Sequence, residues 1–213
     1  FDIDYTLTGL VVMTLTFSVI LGGIRSIAKV AEIVVPAMAA FYILGALLVI
    51  LFHFHNIPEG LYQIFSQAAA IRPVAGGVAG FTVTNALQWG VARGVFSNEA
   101  GLGSAAISAS AAVTDEPVRQ GYINMTGTFI DTIIVCTMTG LSIVITGAWD
   151  MGLEGVAVTA KAFELGLPFP AKVSTFLLML CLVFFAFTTI LGWDYYSERC
   201  LEYLTGGNQK AVK

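Results

Sequence analysis

The sequence predicts an all-α integral membrane protein, and three observations predict it. Of the 213 residues, 57% are hydrophobic and 11% are charged, against roughly 25% charged and 45 to 50% apolar in an average soluble domain. Five stretches hold no charged residue: Thr6 to Ile24, Ile33 to Phe52, Pro73 to Ala92, Thr132 to Trp149 and Val173 to Trp193. Each approaches the roughly 20 residues that cross the hydrocarbon core as a helix. Strand-length alternation does not recur, so a transmembrane barrel is not supported. Helices are the remaining way to satisfy the backbone in lipid. A soluble fold is excluded by the same pattern, because five such helices in succession leave too little polar chain to cover them.

The first two helices are expected at 6–25 and 32–53. After them, His53, Phe54, His55 and the stretch from Pro58 to Ala70 form an external connection. Leu61, Ile64, Phe65 and Ala68 share one face of a helix over 58–70, which suits an element lying in the membrane interface. An ordinary packed loop helix fits the same pattern. His53 and His55 flank a span end and read as interfacial rather than metal-binding.

The stretch from Pro73 to Thr114 would make a helix of about 63 Å, twice the bilayer core. It is either two spans or one span with a break, and the basic residues decide, since they concentrate on the cytoplasmic side. A single crossing puts Arg25, Lys29, Arg119, Arg199, Lys210 and Lys213 on one side and Arg72, Lys161 and Lys172 on the other, with Arg93 inside the segment. Two crossings would nearly even the split. The reading is therefore five spans: 6–25 inward, 32–53 outward, 78–113 inward and broken, 121–148 outward, and 173–200 inward.

Cys136, Cys181 and Cys200 stand far apart without CxxC spacing and read as small apolar packing residues. The net charge of −4 carries little information here. Asp150, Glu154, Lys161 and Glu164 read as a solvated external loop. The chain opens at Phe1 without Met or a basic leader, so no signal peptide is expected and the start is expected to lie within a longer polypeptide.

The chemistry concentrates in the third span, Gly90-Val-Ala-Arg93-Gly94-Val-Phe-Ser97-Asn98-Glu99-Ala-Gly101-Leu-Gly103-Ser104. Each glycine costs about 1 kcal/mol relative to alanine in a helix interior. Non-helical backbone at membrane depth is tolerated only where protein or a polar cavity surrounds it. In transporters such breaks hold substrate and ions. Arg93 and Glu99 point the same way, because a charge at the bilayer centre is functional or paired. Six residues apart, they do not share a continuous helix face. The expected hinge comprises Arg93, Gly94, Ser97, Glu99 and Gly103. The competing reading is tight helix packing through Gly94, Gly101, Ser104 and Ser108.

The run from Gly90 to Ala105, followed by Thr114-Asp-Glu-Pro-Val-Arg-Gln-Gly121, resembles the alanine/glycine:cation symporter family. The likeness extends to Gly22-Gly-Ile-Arg25, Pro58 to Gln67 and Phe187 to Asp194. It implies the leucine-transporter-type fold, an inverted repeat of five plus five helices whose opening helix in each repeat is broken around the substrate. The third span would open the second repeat. The five spans would be the last two helices of repeat one and the first three of repeat two. An N-terminal part of the same polypeptide, carrying the other broken helix, is then expected upstream of Phe1.

The resemblance also implies roles. Asn98 and Gly101 at the break, with Thr189 and Trp193 on the last helix, would contact substrate, and Thr188 and Thr189 would ligate sodium. Thr189 and Trp193 share a helix face, and sodium suits hydroxyl and carbonyl oxygens. The alternative is that both threonines bond back to the preceding turn and Trp193 sits in the interfacial belt. Asp131, in charge-free surroundings after Asn124, Thr126 and Thr128, reads as a structural hydrogen-bonding residue or as an ion or gating residue.

The expected function is sodium-coupled symport of a small neutral amino acid, alanine or glycine, across a prokaryotic plasma membrane by a multi-pass protein. No cofactor is expected beyond the coupling sodium, and no other metal. The partners are the amino acid, sodium and the bilayer, without nucleic acid. An intramembrane enzyme or a structural membrane subunit is the alternative. An enzyme has weak support, since Ser97 with Glu99 or His53 with His55 are the available pairs and no HExxH or GxSxG arrangement occurs. A channel would need filter loops that are not repeated here.

Overall fold

Charge-free apolar runs become helices in the computed structural model, which describes residues 5–69, 78–99 and 101–207. In chain order these are α1 (Tyr5–Ile20), α2 (Gly23–Phe52), α3 (Ile57–Ala69), α4 (Val78–Asn98), α5 (Ser104–Ala109), α6 (Pro117–Phe129), α7 (Thr137–Ile145), α8 (Val156–Gly166) and α9 (Ala171–Leu204). A π-helical turn, Ile130–Cys136, joins α6 to α7, and 3-10 turns occupy Phe54–Asn56 and Ala148–Asp150. No strand occurs among the described residues. Arg72, Lys210 and Lys213 of the charge count, Pro73 to Gly77 and the C-terminal residue of the 58–70 helix lie outside the described residues.

Three helical stretches are long and apolar enough to cross a bilayer: Gly23–Phe52, Pro117–Ile145 and Ala171–Leu204. The 16 residues of α1 are apolar but span about 24 Å, short of the hydrocarbon core. Its end differs from the hydropathy reading. The break falls at Leu21 and Gly22, and α2 already begins at Gly23, whose φ is 66°, taking in Arg25 and Lys29. Nothing from Ile24 to Ala31 breaks a helix, and long basic side chains near a span end reach the interface along the helix surface.

The chain divides into two units, residues 1–42 with 177–213 and residues 43–176. In the first, Met38 and Tyr42 of α2 and Leu178, Cys181, Leu191 and Tyr195 of α9 are buried. Tyr42 meets Phe185 edge to face at 5.9 Å. Near the end of α9, Arg199 pairs with Glu198 and Glu202 and lies 5.3 Å over the Tyr195 ring.

In the second unit Ala46, Val49, Ile145, Ala148, Ala162, Phe163 and Leu167 form the core. The segment read as a solvated loop contains α8, whose Ala162 and Phe163 are buried while Lys161 and Glu164 pair at 2.6 Å on its surface. Its last residue, Gly166, packs against Val49 so closely that a Cβ there would collide with the Val49 side chain. Upstream, Asn56 Nδ2 donates to the Ile145 carbonyl at 3.1 Å, tying the turn before α3 to the end of α7. On α3, Leu61, Ile64 and Phe65 are exposed.

Outward-facing apolar residues are abundant in both units, including Phe17, Ile33, Leu51, Phe129 and Val183. Water does not tolerate an apolar surface this continuous, whereas lipid or further apolar helices do.

Candidate functional site

The helical ladder of α4 stops at Asn98 and resumes in α5 at Ser104. Between them Glu99 has φ 56°, Gly101 81° and Gly103 82°. Glycine reaches this left-handed region freely, but an L-residue pays roughly 1 to 2 kcal/mol. Glu99 is the one non-glycine residue with positive φ among the described residues. Strain of this kind persists where the surroundings enforce it. Two constraints are visible: Ser104 Oγ donates to Glu99 Oε2 at 2.8 Å, and the Leu102 N–H donates to the Glu99 carbonyl at 3.2 Å. An interruption of this sort turns helix-end N–H and C=O groups toward partners outside the helix.

Beside the interruption lies an open cavity of about 760 Å³ whose lining combines Ser97, Asn98, Glu99, Asn124, Thr128 and Asp131 with Gly101, Gly103, Ala105, Ile123, Met125 and Gly127. That is within the roughly 300 to 1,000 Å³ of ligand-sized clefts. Its walls come from the end of α4, the segment up to α5, α6 and the π turn. Ser97 Oγ donates to Asp131 Oδ2 at 2.7 Å, and Asn98 Nδ2 donates to Thr132 Oγ1 at 3.1 Å. Carboxylate, hydroxyl, amide and backbone groups together suit a small polar ligand or a hard cation, which takes oxygen donors.

The expected residues are placed as follows. Ser97, Asn98, Glu99, Gly101 and Gly103 come together at this cavity. Arg93 and Gly94 do not: they lie inside regular α4, upstream of the interruption, with the Arg93 guanidinium 5.5 Å from the Trp89 ring centroid. Thr188, Thr189 and Trp193 belong to the other unit, on α9. Thr188 Oγ1 donates to the carbonyls of Phe184 and Phe185 at 3.0 and 3.1 Å and lies 3.8 Å from Met38 Sδ. Thr189 Oγ1 donates to the Phe185 carbonyl at 2.8 Å. Thr189 and Trp193 are both exposed and, four apart, lie on one face. A hydroxyl that gives its proton to a carbonyl keeps oxygen lone pairs for a cation. Back-bonding and cation ligation are therefore compatible.

Sequence reasoning did not single out Thr132, and it read Cys136 as a packing residue only. The polar pair Asp131-Thr132 within an apolar run was a usable signal for the first. The π turn that brings Cys136 to the same side has no signature in the residues themselves.

All 213 residues match the family model described as the sodium:alanine symporter family. A Haemophilus influenzae protein described as an uncharacterised transporter is 49% identical over 207 residues, covering 97% of this chain and 45% of its own. A sodium/alanine symporter (AgcS) of Methanococcus maripaludis is 47% identical over 210 residues, again 97% of this chain and 45% of its own. A probable sodium/glutamine symporter (GlnT) of Bacillus subtilis is 38% identical over 197 residues, covering 92% of this chain and 40% of its own. The chain thus spans somewhat less than half the length of these curated relatives. With a family match along its whole length and three helices fit to cross a bilayer, the chain belongs to the sodium:alanine symporter family of multi-pass cell-membrane transporters.

Proposed function

We propose that this chain forms part of a transporter that couples sodium entry to uptake of a small neutral amino acid, alanine first and glycine next, and that it works together with the rest of a longer polypeptide of the leucine-transporter type. The observation that carries the reading is the helix interruption at Glu99–Gly103 opening on a cavity that Ser97, Asn98, Asn124, Thr128 and two carboxylic side chains line in part. Interrupted helices in secondary transporters present half-helix ends and free backbone groups to substrate and ion. The family match and the 47% identity to a protein named a sodium/alanine symporter support the choice of alanine.

In this reading Asn98 and Gly101 contact the amino acid through the side-chain amide and the exposed backbone. Ser97, Glu99 and Gly103 shape the hinge, with Arg93 and Gly94 as its upstream flank. Thr188 and Thr189 give hydroxyl oxygens to sodium, and Thr189 and Trp193 line a wall that limits side-chain size. The glutamine named for the Bacillus subtilis relative is the competing substrate.

The test is uptake of labelled alanine by the full-length protein in proteoliposomes, with and without an inward sodium gradient, against unlabelled alanine, glycine and glutamine. Sodium-dependent accumulation blocked by alanine and glycine supports the proposal. Block at far lower concentrations of glutamine than of alanine would replace the substrate, and uptake indifferent to sodium would remove the coupling.

A further inference from the structure

The π-helical turn Ile130–Cys136 has no local cause in its residues: Ile-Asp-Thr-Ile-Ile-Val-Cys contains neither glycine nor proline. Such turns are rare inside helices and are frequent at functional positions. Its contacts say what this one does. In a regular α-helix, residues five apart point about 140° away from each other, so Asp131 and Cys136 would face different directions. A turn closed by bonds between residues five apart brings them to one side, and both meet Ser97. Ser97 Oγ donates to Asp131 Oδ2 at 2.7 Å and lies 4.0 Å from Cys136 Sγ. The next residue on each strand of this contact is paired as well, Asn98 Nδ2 donating to Thr132 Oγ1 at 3.1 Å. Thr137 Oγ1 reaches the Thr132 carbonyl at 3.5 Å, adding a side-chain bond across the same five-residue register.

The last two residues of α4 before the interruption are thus each held by a residue of the π turn. One bond would leave the end of α4 able to pivot. Two consecutive bonds to two consecutive acceptors fix both its rotation and its height. We propose that Asp131, with Thr132, is a positioning residue: it sets the direction in which the chain leaves α4, and so where Glu99 and Gly101 stand, without itself touching substrate or sodium. This rests on reading the interruption as the ligand site. Sites of this kind work only when their groups are held to within about 0.5 Å by supporting bonds.

The experiment compares Asp131→Asn and Asp131→Leu in the full-length protein. Asparagine keeps an acceptor oxygen and the side-chain shape, whereas leucine fills similar space with no acceptor. Asp131→Leu is expected to raise the apparent KM for alanine and for sodium about tenfold with a smaller effect on maximal rate, and Asp131→Asn to stay close to wild type on both. Ser97→Ala should reproduce the leucine effect, and the double variant Ser97→Ala/Asp131→Leu should be no worse than either alone. A readout independent of transport is amide hydrogen exchange over residues 97–104 without ligand, expected faster in Asp131→Leu and unchanged in Asp131→Asn. Sodium dependence damaged as much by asparagine as by leucine would overturn the proposal, because the charge itself would then be binding the ion. Unaltered exchange and constants in Asp131→Leu, with less folded protein, would overturn it in favour of packing alone. A wild-type protein without sodium-dependent uptake would sink the transport reading, and the exchange comparison would still decide this one.

Discussion

Ser97 on α4 gives its hydroxyl proton to Asp131 on the π turn at 2.7 Å, joining two segments 34 residues apart in the chain. The length is that of a well-formed hydroxyl hydrogen bond. It places an acidic side chain from the middle of an apolar stretch long enough to cross a bilayer against the end of α4, where the helix is interrupted. An acid in such a stretch is costly unless it has polar company, and Ser97 supplies it.

Thr189→Val removes a hydroxyl while keeping the shape. Uptake measured against sodium concentration at fixed alanine should show a weakened sodium dependence with normal expression, because the lone pairs left after the bond to Phe185 are lost. Trp193→Ala should chiefly raise the apparent constant for alanine. Wild-type sodium dependence in Thr189→Val would leave its hydroxyl with the back-bonding role only.

Gly103 has φ 82° and nothing within 4 Å of where a Cβ would stand. Any penalty on substitution is therefore backbone strain, not collision. Gly103→Ala should destabilise the full-length protein by roughly 1 to 2 kcal/mol, read from its thermal midpoint in detergent. Gly103→Asn should cost less, since asparagine tolerates the left-handed region, and equal loss for both would point to a steric cause instead.

At Gly166 the logic reverses, because the obstacle is the side chain of buried Val49. Valine is stiff about its first torsion and cannot turn aside. Gly166→Ala should therefore cost about 1 to 3 kcal/mol of stability. Adding Val49→Ala should recover part of it, so that the double variant loses less than the two single losses combined. Additive losses would show that the two positions do not press on each other.

Ser104→Ala deletes the donor that holds Glu99 at 2.8 Å. A hydrogen bond to a carboxylate is worth about 1.5 to 3 kcal/mol when buried, and partial exposure of both residues lowers the expectation to about 1 kcal/mol. Ser104→Thr keeps the hydroxyl and should behave as wild type. Thermal midpoints that rank alanine with threonine would remove this bond from the support of the interruption.

The sequence alone determined that the chain is helical and made for a membrane, since charge-free apolar runs leave the backbone no other partner in lipid than its own. It also carried the family, because the run from Gly90 to Ala105 combines glycines, an arginine and a glutamate in a way that apolar packing does not require. Local propensity could not decide where the helix would stop. Gly90, Gly94, Gly101 and Gly103 are alike in sequence, yet the first two remain helical and the last two take positive φ. The side chains that hold the near end of that interruption, Asp131 and Thr132, lie more than thirty residues away. Burial of Phe163 in a segment that reads as solvated, and the π turn facing Ser97, were likewise settled by packing between distant segments, which no local pattern of residues encodes.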